Sequence, residues 1–205
     1  LTDIDGRMVM EWRETCDGFI AEQRIVTNSI DETGGKSVSD ISATSWEALD
    51  GSSFRFSMRQ RLDNELVQEY EGSAKLDAAG GGGVAALRKP SNKQIMLPAG
   101  IVFPTAHMRN VLVTARAGRR SDSRPLFDGT SESDYYQVVT SIGAISRAPL
   151  KSLTEKNVDV DSIRKAIGDL PWWPVQISYY GKNVSEGIPE FEIAYHLYDN
   201  GASSN

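Results

Sequence analysis

A single cysteine, Cys16, occurs in 205 residues, so the chain cannot close a disulfide on itself. That fits a cytosolic protein, or an exported one whose partner cysteine lies outside these residues. Histidine is nearly as scarce, with only His107 and His196. A zinc or transition-metal centre draws three or four His, Cys or carboxylate ligands at close spacing. No Cys-x-x-Cys, His-x-x-x-His or His-Glu-x-x-His pattern is present, so both histidines read as hydrogen-bonded structural residues, and no metal is expected. No apolar run approaches the roughly 20 residues that cross a bilayer as a helix. Positive charge is not in excess either: 22 Lys and Arg stand against 28 Asp and Glu, a net charge of -6. That balance argues against nonspecific binding to nucleic acid or to an anionic membrane. No serine sits in Gly-x-Ser-x-Gly. Gly34-Gly35-Lys36-Ser37 imitates the end of a phosphate-binding loop, but Ile30 stands where its first glycine belongs and a β-type run follows, so it reads as a turn.

What is present is a globular composition, 40% hydrophobic and 24% charged, and a succession of short strand-like runs. Val9 to Glu14, Phe19 to Ile30 and Val38 to Leu49 come first, and Asp50-Gly51 is a strong hairpin signal. Phe54, Phe56 and Met58 then alternate with Arg55, Ser57 and Arg59, the period of a half-buried strand. Leu66 to Ala74, Val84 to Leu87 and Gln94 to Leu97 are further strand candidates. Pro104-Thr105 opens the best helix, with Thr105 as its expected cap. Met108, Leu112 and Ala115 recur along it, and Gly118 stops it. Tyr135 to Ile145 reads as a strand and Asp161 to Gly168 as a short helix. Trp173 to Tyr180 and Glu190 to Tyr198 read as a late antiparallel pair, with Phe191, Ile193, Tyr195 and Leu197 on one face. Many strands with one good helix predict a mainly β domain over residues 1-205, a large antiparallel sheet curled or closed to protect its edges. The chain starts at Leu1 without an initiator Met, which suggests a processed or trimmed form. The turn at Asp199-Asn200-Gly201 asks for a returning strand, so further C-terminal strands are expected beyond Asn205.

Catalytic groupings are weak. Cys16 and His107 form a conceivable nucleophile–base dyad, but Glu11, Glu14 and Asp17 surround the thiol with acids that disfavour its thiolate. The many carboxylates show no diagnostic pairing. Arg116, Arg119, Arg120 and Arg124 read as a helix C-terminus followed by a polar loop, with an acidic partner or lipid head group as the other reading. The densest aromatic segment is Trp172-Trp173 between two prolines, followed by Tyr179-Tyr180. Adjacent strand residues face opposite ways, so one member of each pair is free to meet an apolar ligand or partner unless both sides are buried.

Glu11-Trp12 followed by Thr15-Cys16-Asp17-Gly18 resembles the opening signature of the EipB family, envelope-integrity proteins of alpha-class Gram-negative bacteria. Further matches follow in order: Trp46-Glu47, Asp50-Gly51 and Phe54-Arg55-Phe56; Leu97-Pro98-Ala99-Gly100 and Phe103-Pro104-Thr105-Ala106-His107; Phe127-Asp128-Gly129; and Leu197-Tyr198-Asp199-Asn200-Gly201. The resemblance implies a single large curved antiparallel sheet, a β-spiral or half-barrel around one main α-helix, similar to periplasmic lipoprotein carriers. It implies a periplasmic, non-enzymatic, cofactor-free protein that supports envelope integrity. It also implies a partner, either a periplasmic tetratricopeptide-repeat protein or a lipid or lipoprotein. In the family the cysteine matching Cys16 pairs with one near the C-terminus that has no counterpart here, and Phe19 replaces a Trp. The reading is therefore a binding protein, with Trp172, Trp173, Tyr179 and Tyr180 as contact residues and Cys16 as half of a disulfide. An envelope hydrolase using Cys16 or His107 is the alternative.

Overall fold

The computed structural model describes residues 3–77, 80–130, 134–147, 170–182 and 187–204. The expected helix at Asp161 to Gly168 lies outside the described residues. The chain is mainly β, as its punctuation predicts, and the described strands divide between two antiparallel sheets. β1 (Asp3–Glu14), β2 (Gly18–Ile30), β3 (Lys36–Ala48), β4 (Ser53–Leu62), β5 (Glu65–Leu76), β6 (Gly83–Lys89) and β7 (Lys93–Leu97) pair in sequence order. After α1 (Pro104–Arg116), β8 (Ser121–Leu126), β9 (Tyr136–Ile142), β10 (Trp172–Gly181), β11 (Phe191–Tyr198) and β12 (Ser203–Ser204) form the second sheet, in the order β12-β11-β10-β9-β8.

The hairpins form where short polar and glycine residues allow the chain to reverse. At Asp31, one carboxylate oxygen accepts the backbone N–H groups of Thr33 and Gly35 at 2.8 and 2.9 Å, which closes the β2–β3 turn. Lys36 begins a strand there, so the phosphate-loop imitation is a turn, as expected. Asp50 does the same for β3–β4 by accepting the Ser52 N–H at 2.9 Å. The expected return after Asp199-Asn200-Gly201 begins within the chain: Ser203 and Ser204 pair with Leu197 and His196.

The contacts separate into two compact units, Leu1–Thr105 with Pro125–Tyr135, and Ala106–Arg124 with Tyr136–Asn205. In the first, alternation along β4 sends Phe54, Phe56 and Met58 to one face. Register places them beside Ala74, Gly72 and Tyr70 of β5, and Ala85, Ile95, Leu97, Ile101, Phe103 and Phe127 complete the core. In the second, α1 buries His107, Val111, Thr114 and Ala115, the i, i+4, i+7, i+8 stripe of one helix face. The expected stripe of Met108, Leu112 and Ala115 is one position off. Two of the buried residues, His107 and Thr114, are polar, so hydropathy alone pointed to the neighbouring face. The helix ends as predicted: Gly118, at a φ of 71°, donates to Ala115, and Arg119 donates to Thr114, which is a Schellman close.

β8 was not expected. The run Ser121-Asp122-Ser123-Arg124 is polar, and it reads as a loop from sequence. Its one arginine, Arg124, and the neighbouring Arg116, Arg119 and Arg120 are spread over separate structural tasks. Arg116 pairs with Asp199 at 2.8 Å, Arg124 bonds Asp122, Arg120 donates to the Gly143 carbonyl and Arg119 donates to Thr114 Oγ1.

Candidate functional site

Several of the residues that carry the family resemblance, Glu47, Phe54, Phe56, Leu97, Phe103 and Phe127, are buried together in the first unit, whereas His107 and Leu197 to Gly201 belong to the second. Phe54 stacks on Phe103 with ring centroids 5.1 Å apart and 16° between planes, and Phe127 meets both edge-on at 6.4 Å. Offset stacks and edge-to-face contacts are the favoured arrangements of aromatic quadrupoles. A Cβ on Gly129 would lie 2.4 Å from the Phe56 ring, so only glycine lets that turn close against the cluster. Glu47, 2% exposed, accepts the Thr105 N–H through Oε2 at 2.7 Å. The helix begins at Pro104, which has no N–H to satisfy, and the cap expected from Thr105 is supplied by this distant acid. Trp46 and Arg55 are signature residues that face away from the core, cross-strand partners with the guanidinium carbon 4.9 Å from the indole centroid.

The histidines are structural in placement. His107 is 2% exposed and its Nε2 lies 3.3 Å from Thr140 Oγ1. Burial disfavours the imidazolium and lowers its pKa from 6.5 to about 4; Asp122 opposes the shift and Arg124 adds to it. A ring so enclosed has no solvent face on which to meet a substrate. His196 packs edge-on against Trp172 at 4.5 Å, and its buried Nδ1 has no hydrogen-bond partner among the described residues. Cys16 is exposed in the β1–β2 turn. The turn is held by Thr15, whose hydroxyl accepts the Gly18 N–H at 3.1 Å and lies 2.8 Å from Asp17 Oδ1. Among the described residues no group of three or more His, Cys, Asp and Glu side chains is placed to hold a metal ion.

The four aromatic residues expected to make contact do not form one site. Register pairs Trp173 with Leu197 and Tyr179 with Phe191 on one face of β10, and Trp172 with Tyr198 on the other. Trp173 is buried, whereas Trp172, Tyr179 and Tyr180 are each half-buried. Tyr179 stacks on Phe191 at 4.3 Å, with Tyr136 edge-on to both, and Phe191 and Ile193 remain exposed beside them.

A longer aligned apolar surface among the described residues lies on β1. Ile4, Met8, Met10 and Trp12 are 63, 59, 59 and 48% exposed. They fall at even positions along the strand. Register carries Trp12 through Ala21 and Ser45 to Phe56, and Met10 through Gln23 and Ala43 to Met58. The stripe is therefore on the core face of the sheet, at its β1 edge. It is continuous with the core: Trp12 stacks on the buried Phe19 with centroids 5.0 Å apart. From Ile4 to Trp12 the stripe is about 27 Å long at the usual rise per residue. Sequence reading began this strand at Val9 and missed its first half, because Asp5, Gly6 and Arg7 dilute the apolar signal there. The alternation Met8, Met10, Trp12 was available to find it.

Comparison with known proteins agrees with this picture. The family model described as EipB-like matches residues 1–205. The cell envelope integrity protein EipB of Brucella abortus (strain 2308) is 32% identical over 203 residues, covering 98% of this chain and 69% of the relative. A solved β-barrel-like protein from Brucella abortus, described as a domain of unknown function, superposes with a TM-score of 0.84 at 30% identity, over 98% of this chain and 80% of the other. Signature aromatics packed in one core, a matching fold and a whole-length family match lead to one conclusion: the chain belongs to the EipB-like family.

Proposed function

We propose that this protein supports the integrity of a bacterial cell envelope from the periplasm, as a non-catalytic binding protein that holds a lipid-like ligand on the exposed part of its core face. The relative's role in envelope integrity supports the biological setting. The observation that carries the binding mode is the β1 stripe: four large apolar side chains on one face, about half exposed, joined to the core through the Trp12–Phe19 stack. Apolar side chains scattered singly over a surface need no explanation, but an aligned stripe of this length marks an interaction site. Two of the four are methionines, whose flexible, polarisable side chains adapt to irregular apolar partners. Tyr179, Phe191 and Ile193 offer a second, smaller apolar surface on β10 and β11, which is where the expected contact residues retain a part.

The test is recovery of bound lipid. The purified chain is incubated with an extract of Gram-negative envelope lipids, re-isolated and examined by native mass spectrometry. The expected result is a lipid adduct on the wild-type chain that disappears in the Met8→Glu/Met10→Glu double variant. A chain that stays empty, or a variant that loads equally well, contradicts the proposal.

A further inference from the structure

Opposite its aromatic core, the far face of the seven-stranded sheet carries a lattice of cross-strand ion pairs. Arg24 meets Asp40 at 2.8 Å, Arg59 meets Glu69 at 2.9 Å and Arg88 meets Glu71 at 2.7 Å. Arg55 departs from this pattern. Its guanidinium lies on the Trp46 indole, and no carboxylate pairs with it among the described residues. The indole is itself pinned: a Cβ on Gly18 would sit 2.7 Å from Trp46 Nε1. The ring is therefore held close over bare backbone on one strand while the guanidinium of the next strand rests on it. A guanidinium stacked this way keeps its in-plane N–H donors available for a bidentate acceptor. Arg13 adds a second cation with donors to spare, since its nearest carboxylate oxygens, on Glu22 and Glu11, are 3.6 and 3.8 Å away, beyond hydrogen-bond range.

Arg55, Trp46, Arg13 and Arg88 line a shallow trough of about 460 Å³ together with Ile20 and Ser73. Register runs Arg13, Ile20, Trp46, Arg55 and Ser73 side by side across five strands, which spans about 19 Å at the usual strand spacing. That is the reach of about six extended residues. Three guanidinia face two carboxylates, Glu22 and Glu71, within the trough, a local positive surplus in a chain of net charge -6.

We propose that this trough binds an acidic segment of a protein partner, with a carboxylate on Arg55 and apolar side chains against Trp46 and Ile20. Charge complementarity favours this occupant, because discrete carboxylates can be placed between the rim acids. A continuous anionic membrane is disfavoured, since the chain's own negative charge and those same acids repel it. The site lies on the sheet face opposite the β1 stripe, so its failure leaves the lipid-binding reading standing.

The probe is an acetylated hexapeptide, Glu-Phe-Glu-Glu-Phe-Glu, titrated into the ¹⁵N-labelled chain while the Trp46 indole N–H resonance is followed. That resonance is assigned by its loss in Trp46→Phe. Inorganic phosphate and vesicles containing phosphatidylglycerol are titrated in parallel. The expected result is a saturable shift with the peptide, weakened about tenfold in Arg55→Gln, the scale of a lost charge-assisted hydrogen bond. The Met8→Glu/Met10→Glu variant is expected to bind the peptide as the wild type does. Arg55 is exposed, and an unchanged urea midpoint for Arg55→Gln shows that folding is not the cause. The proposal is overturned if the peptide leaves Trp46 unmoved or if Arg55→Gln binds equally well. It is also overturned if phosphate at the same concentration matches the peptide, or if only the vesicles bind.

Discussion

Acidification should weaken this fold well before its carboxylates protonate, because of His107. Its pKa is about 4 in the folded chain against an ordinary 6.5, since a buried imidazole resists taking a charge. Above pH 6.5 the ring is neutral in both states and contributes nothing to pH dependence. Between 6.5 and 4 the unfolded chain binds a proton that the folded chain refuses, so stability falls with pH. At about 1.4 kcal/mol per unit the complete loss is about 3 kcal/mol, with most of it reached by pH 4.5. Asp122 and Glu69 are held below their ordinary values of 3.8 and 4.5 by hydrogen bonds from Arg124 and Arg59. Their stabilisation is present above those ordinary values and is lost below them, so the His107 window is largely separate. The assay is urea unfolding at a series of pH values from 7.5 to 4.5, for the wild type and for His107→Gln. Gln retains a polar partner for Thr140, so the readout is the pH slope rather than absolute stability. The wild type is expected to lose about 2–3 kcal/mol over this range beyond whatever the variant loses. Parallel slopes for the two proteins would refute the burial argument.

Three further outcomes follow from the first unit. Gly129 and Gly34 share a φ near 84°, but only Gly129 has a ring where its Cβ would go. Gly34→Ala is therefore expected to cost about 1–2 kcal/mol for the backbone alone, and Gly129→Ala about 1–3 kcal/mol more for overlap with Phe56, compared by denaturant midpoints. Glu47→Ala leaves the partly buried Thr105 N–H without this acceptor and is expected to destabilise by about 1–3 kcal/mol; the exposed Glu65→Ala serves as control and should stay within about 0.5 kcal/mol. Cys16, exposed in its turn, is expected to react with maleimide in the folded 205-residue chain without reductant, and slow labelling that speeds up on unfolding would contradict its placement.

Much of the β-architecture was legible because the turns announce themselves. Asp50-Gly51, the glycines at 34 and 35, and the Phe54–Phe56–Met58 alternation each have a direct physical meaning, and each maps onto a hairpin or a half-buried strand. The helix was legible for the same reason, from Pro104 at its start to Gly118 at its close. What sequence concealed was burial that opposes residue type. Glu47 reads as a surface acid, yet it lies in the core because a helix start needs its carboxylate. His107 and Thr114 sit on the buried face of α1 because their polar atoms find partners there. β8 is a strand of serines and charges that sheet pairing holds in place, and no propensity announces it. The candidate site was the least legible part. Aromatic density drew the eye to Trp172, Trp173, Tyr179 and Tyr180, but pairing register distributes them over both faces of β10. The aligned apolar stripe on β1 begins among Asp5, Gly6 and Arg7, where composition looks ordinary.

The proposed function requires an apolar ligand along the core face of β1. The most direct measurement is photocrosslinking with a diazirine-bearing palmitate, followed by digestion and peptide mapping. Label is expected to concentrate on the segment from Met8 to Arg13, in contact with Met8, Met10 and Trp12, and unlabelled palmitate to compete it away. Label spread evenly over the chain, or confined to peptides away from β1, would contradict it.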